Sequence, residues 1–72
     1  MRGNFFYKRL GSRIAHERKK HSLSQETLSL ITDIDRTYIV KIERGKANPS
    51  IKVIRKIARV FKMKVSDLLI GV

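Results

Sequence analysis

The sequence predicts a compact all-α bundle of five short helices, on three observations. Apolar residues recur at three- and four-residue steps along most of the chain. Residues suited to capping helix N-termini stand just ahead of the later apolar stretches. Strand-like alternation is absent, and Pro49 is the only proline. Residues 1–72 give length for one small domain. A chain this short buries only about 60% of its unfolded surface, so its stability margin is thin and a partner subunit would help. No linker, internal repeat or low-complexity tract interrupts it.

The first helix is expected from about Tyr7 to Lys20, with Phe6, Leu10 and Ile14 at four-residue steps and Gly11 weakening its start. Ser24 is placed to cap the second, which has Glu26 in its first turn, buries Leu28 and Ile31, and ends near Thr32. Only Asp33 and Ile34 precede the next helix, and Asp tolerates the left-handed conformation of a tight turn. The third helix starts from Asp35, turns Ile39 and Ile42 inward and stops at Gly45, which suits the position just past a helix end. Lys46 to Pro49 form a loop. Ser50 caps a fourth helix that buries Ile54, Ile57, Ala58 and Phe61, and Ser66 caps a last one carrying Leu68 and Leu69 and ended by Gly71.

Seventeen Lys and Arg against six Asp and Glu leave a formal charge of +11, so polyanions are the expected partners. There is no cysteine, which excludes a disulfide framework and a cysteine-based zinc site. Met1 to Leu10 carry Arg2, Lys8 and Arg9 around three aromatics, unlike the apolar core of a secretory leader of about 7–15 residues. No apolar run approaches the ~18 residues of a membrane span. A soluble cytoplasmic protein without membrane attachment is expected. His16 and His21 have no further ligand at metal spacing, and nothing resembles a catalytic triad, a paired carboxylate or a phosphate-binding glycine loop. The expectation is therefore a non-enzyme with no cofactor, no metal and no small-molecule ligand.

With Ile39 and Ile42 inward and ~100° per residue, the opposite face of the third helix holds Thr37, Val40, Lys41 and Arg44, with Arg36 at its edge. Glu43 falls beside the buried stripe. Lys52, Arg55, Lys56, Arg59, Lys62 and Lys64 form a second basic cluster on the outer face of the fourth helix, suited to steering association and non-specific affinity.

Several runs occur in a telling order: Leu23-Ser24-Gln25-Glu26, Leu28, Ile34, Ile39, Ile42-Glu43-Arg44-Gly45, Asn48-Pro49-Ser50 and Val65-Ser66-Asp67-Leu68-Leu69. On these residues the chain, from Leu10 to Leu69, resembles the Cro/CI-type helix-turn-helix family of phage repressors and small bacterial regulators, also called the xenobiotic-response-element family. Asp35 to Ile39 and Ile42 to Gly45 further resemble controller proteins of restriction-modification systems. Ser29 and Asp33 depart from the pattern, standing where the family mostly has alanine and glycine. Both are small or turn-tolerant, so the motif survives.

The resemblance implies a lambda-repressor-like DNA-binding domain, with the motif over about 24–44 and a recognition helix over about 35–44. Such a helix enters the major groove with its N-terminal half against base edges. Arg36, Thr37, Val40 and Lys41 are then the base-contact candidates: Arg36 and Lys41 to guanine, Thr37 to a hydrogen bond or a thymine methyl. Val40 fits a thymine methyl or is simply an exposed valine. Gln25, at a helix N-terminus, matches the family's phosphate-binding glutamine, Arg44, Lys46 and Asn48 extend the backbone track, and Tyr38 either reaches a phosphate through its hydroxyl or fills the core edge. Arg18 and Glu43 match a pair that braces the scaffold. Leu69, Ile70 and Val72 supply apolar surface for dimer contact through the last helix.

The function implied is a transcription regulator that binds double-stranded DNA as a homodimer on a palindromic operator, in a restriction-modification, phage or plasmid context. The alternative is an antitoxin that masks a partner toxin and autoregulates its operon. A toxin-binding tail would favour it, and the sequence runs only two or three residues past its last helix. A non-specific nucleic-acid or lipid binder would show no preference among sequences.

Overall fold

A computed structural model describes residues 4–72, so Arg2, counted above among the charges unlike a leader, lies outside the described residues. Five helices follow in order: α1 (Asn4–Lys20), α2 (Gln25–Thr32), α3 (Arg36–Glu43), α4 (Ile51–Val60) and α5 (Val65–Leu68). α1 packs against α3 and α5, α2 against α3 and α4, and α4 against α5. The core is Leu10 and Ile14 from α1, Leu28 from α2, Ile34 from the turn, Ile39 and Ile42 from α3, Ile54, Ile57, Ala58 and Phe61 from α4 and its end, and Leu68 from α5.

The caps explain the boundaries. Ser24 and Ser50 accept the backbone N–H three residues on, and Asp35 accepts that of Thr37, which satisfies orphan donors at three helix starts. α3 closes in a Schellman arrangement: Lys46 N donates to the Lys41 carbonyl at 2.9 Å and Gly45 N to that of Ile42 at 3.0 Å, with Gly45 at φ 74°. The same arrangement closes α1 at Ser22 and α4 at Lys62, both with φ above +50°.

Four features differ from the sequence expectation. α1 is already helical at Asn4. Phe6 is exposed, because the α1 stripe meets the core only from Leu10 onward. Ile31 is 57% exposed, and Thr32 is buried in its place. In so short a helix a small rotation exchanges neighbours at the edge of the stripe, and Thr32 satisfies its hydroxyl by donating to the Leu28 carbonyl at 2.7 Å. Ser66 does not cap α5; the N-cap position is Lys64, whose backbone N–H donates to Asp67 Oδ2 at 3.1 Å. The carboxylate of the third helical residue thus reaches back to the N-cap N–H, the reciprocal half of a capping box.

Candidate nucleic-acid interface

The turn that sets α3 against α2 is fixed by the backbone of Asp33 and the side chain of Ser29, the two positions where the sequence departs from the expected pattern. Asp33 takes up the left-handed conformation, φ 60°, and its N–H donates to the Ser29 carbonyl at 2.8 Å. The Ser29 hydroxyl, where alanine is usual, crosses the turn to donate to the Ile34 carbonyl. Thr32 Oγ1 accepts from Ile34 N at 3.3 Å, so the N–H groups of Asp33 and Ile34 and the Ile34 carbonyl are paired.

α3 is held from behind by α1. Gly11 lies so close to the α3 C-terminus that a Cβ there would stand 2.2 Å from the Ile42 carbonyl oxygen and 2.7 Å from that of Glu43. No side chain fits between the two backbones. A second close approach follows at Gly45, where a Cβ would lie 2.7 Å from Lys8 Cγ. Glycine at 11, which as sequence only weakens a helix, is the condition for α3 to sit where it does.

Glu43 ends this contact. Its carboxylate accepts two hydrogen bonds from Arg18, at 2.7 Å from Nε and 3.0 Å from Nη2, and a third from Gln25 Nε2 at 3.0 Å. The Arg18 and Glu43 side chains are only 10% and 7% exposed. Arg18 Nη1 also donates to the Leu23 carbonyl at 2.9 Å, so one guanidinium ties α1, the α1–α2 connection and α3 together. Hydrogen bonding to Glu43 raises the Arg18 pKa above its ordinary value, burial opposes this, and the Coulomb attraction of Glu43 adds to it. The pair therefore keeps its positive partner throughout the neutral range. Neutralised in this way, Glu43 does not oppose a polyanion approaching α3.

On the outer side, Arg36, Thr37, Lys41 and Arg44 are exposed, and Val40 is half-buried. Tyr38 is half-buried with its ring against the core. Lys46 and Asn48 are exposed in the loop that follows. Gln25 is half-buried, and one of its amide hydrogens is committed to Glu43, which leaves the other and its carbonyl oxygen. Lys8 received no role from the sequence. The signal for it exists only in three dimensions, where its stem lies across Gly45 beside Arg44 and Lys46.

Leu69, Ile70 and Val72 follow α5, and Ile70 and Val72 line a groove with Arg9 and Arg13 of α1. Leu69 and Val72 pack against the core and are half-buried, whereas Ile70 is 67% exposed. The segment is drawn onto α1 by Arg13 Nη1, which donates to the Ile70 carbonyl at 3.0 Å, and Arg9 Nε, which donates to that of Val72 at 2.6 Å. His16 is exposed, and His21 stacks against Phe61 with ring centroids 5.2 Å apart. Among the described residues no helix is long and apolar enough to cross a membrane.

A short helix with a basic outer face, fixed to a second helix by a tight turn and backed by a third, defines a helix-turn-helix protein. The chain belongs to the helix-turn-helix family, whose model matches residues 14–68, and is a DNA-binding transcriptional regulator of that family. It is 44% identical over 59 residues to an HTH-type transcriptional regulator of Archaeoglobus fulgidus, covering 82% of this chain and 83% of that protein. It is 39% identical over 61 residues to the control protein C.MunI of a Mycoplasma species, covering 83% and 82%. Among solved structures, the restriction-modification controller protein C.AhdI from Aeromonas hydrophila superposes with a TM-score of 0.83 at 34% identity, over 86% of this chain and 94% of that one.

Proposed function

We propose that the protein is a cytoplasmic, sequence-specific regulator that binds a palindromic operator as a homodimer and controls a restriction-modification operon. The observation that carries the reading is the outer face of α3, where Arg36, Thr37 and Lys41 are exposed on a helix whose one carboxylate is neutralised from behind. Likeness to the control protein C.MunI and the controller C.AhdI supports the operon context. Arg36 and Lys41 donate to guanine edges, while Thr37 and Val40 meet thymine methyls. Gln25, Tyr38, Arg44, Lys46 and Asn48 bind phosphates, and Lys8 extends that track. Two copies joined through Ile70 and its neighbours present their α3 helices to half-sites about 34 Å apart.

The test titrates the protein against its own upstream DNA and a scrambled duplex at several salt concentrations, beside Arg36→Ala. The upstream fragment is expected to bind at least ~10³-fold more tightly. Arg36→Ala is expected to lose about 1–3 kcal/mol of that preference while keeping most of its salt dependence. Equal binding of both duplexes would leave only the basic surface as the origin of affinity.

A further inference from the structure

Ile31, expected in the core, faces solvent, and its neighbour Leu30 is 77% exposed. Ile31 and Thr32 from the end of α2, with Lys56, Arg59 and Val60 from α4, line a groove of about 350 Å³. Its floor is aliphatic and its walls carry two cations. The ion pairs of the described residues, Arg13 with Glu17 and Arg18 with Glu43, do not involve either of them. The acidic residues of α2 and its cap, Glu26 and Asp33, do not line the groove. Nor does any residue assigned above to base or phosphate contact, although Lys56 and Arg59 belong to the basic cluster that steers association.

The lining discriminates among occupants. A phosphate backbone would satisfy Lys56 and Arg59 but leave Ile31 and Val60 against polar atoms, which wastes the apolar surface. An amphipathic helix answers both features, with an aliphatic or aromatic anchor for the floor and carboxylates for the walls. A partner of that charge is also drawn by the +11 net charge of the chain.

We propose that the groove between α2 and α4 is a docking site for an acidic amphipathic helix of a partner protein, seated on Ile31 and Val60 and paired with Lys56 and Arg59. None of its lining residues belongs to α3.

The test uses the full chain, ¹⁵N-labelled, with and without duplex DNA. The ligand is a synthetic helical peptide of about 14 residues bearing a leucine stripe among glutamates, beside the same peptide with serines in the stripe. Backbone shifts are expected to centre on Ile31, Thr32, Lys56, Arg59 and Val60, and the serine peptide is expected to fail. Ile31→Lys removes the apolar floor while adding positive charge. It is expected to weaken the peptide about tenfold or more, a loss of about 1.4 kcal/mol, with melting temperature unchanged. The proposal is overturned if the serine peptide binds equally, or if Ile31→Lys binds as tightly as the wild type, since charge alone would then account for binding. It is also overturned if sedimentation shows that wild-type copies associate and Ile31→Lys does not, because a second copy would then cover the groove.

Discussion

Behind α3 the chain is held by backbone contact and a shielded ion pair, whereas from α5 onward it is held by one buried anchor, Leu68, two arginine hydrogen bonds and half-buried aliphatic side chains. At the first region Gly11 lets two helix backbones nearly touch, and Glu43 receives three hydrogen bonds from two other elements. At the second, α5 is a single turn, and the Ile70 side chain stays in solvent while Arg13 holds the Ile70 carbonyl and Arg9 that of Val72. The contrast separates two tasks. A helix that positions side chains against base edges must be placed to a fraction of an ångström, which dense packing provides. The subunit contact proposed at Ile70 would instead need apolar area left uncovered.

The largest break in this comparison is expected from Arg18→Leu, which strands Glu43 with Gln25 as its only partner. A loss of about 3–5 kcal/mol is expected by chemical denaturation. Replacing both Arg18 and Glu43 by leucine should restore much of it, because no buried charge is then left alone. An equally unstable double variant would show that the pair acts through something other than charge.

Gly11→Ala comes next, at about 3 kcal/mol, because its Cβ would enter the space of the Ile42 carbonyl and force α3 away. DNA discrimination should fall further than the melting temperature alone explains, since displaced base contacts lose geometry before the core unfolds. Retention of operator preference in the folded fraction would contradict the close-packing account.

Ile70→Asp sharpens the other side. Removing everything after Asp67 would also take the fully buried Leu68 from the core, so the point variant is the cleaner probe. Its folding stability is expected to stay within about 0.5 kcal/mol of the wild type. Self-association measured by sedimentation should weaken about tenfold or more. An unchanged sedimentation profile would remove Ile70 from the interface.

The smallest effect is a gain. Lys62 occupies the left-handed region at φ 57°, where a Cβ costs roughly 1 kcal/mol. Lys62→Gly should raise stability by up to about that amount, read as a small increase in melting temperature.

Much of the fold was legible in the sequence because it rests on local rules. Ser24, Asp35 and Ser50 cap, Asp33 turns, Gly45 closes α3, and the α4 stripe is buried as its spacing requires. The outer face of α3 followed from periodicity once Ile39 and Ile42 were turned inward, and both are buried. Ile31 was misplaced because a two-turn helix leaves the edge of its stripe to its neighbours. α5 was misjudged because its cap comes from a carboxylate behind the start rather than a hydroxyl ahead of it.

By itself, then, the sequence determined where α2, α3 and α4 begin, the buried stripes of α3 and α4 and which face of α3 is basic, since backbone hydrogen-bonding needs and side-chain period act over a few residues. Only the tertiary structure decided that Gly11 is a contact rather than a weakness, that Gln25 braces Glu43 and that Lys8 lies over Gly45. These depend on the distance between elements far apart in the chain, and only the packed core sets that distance.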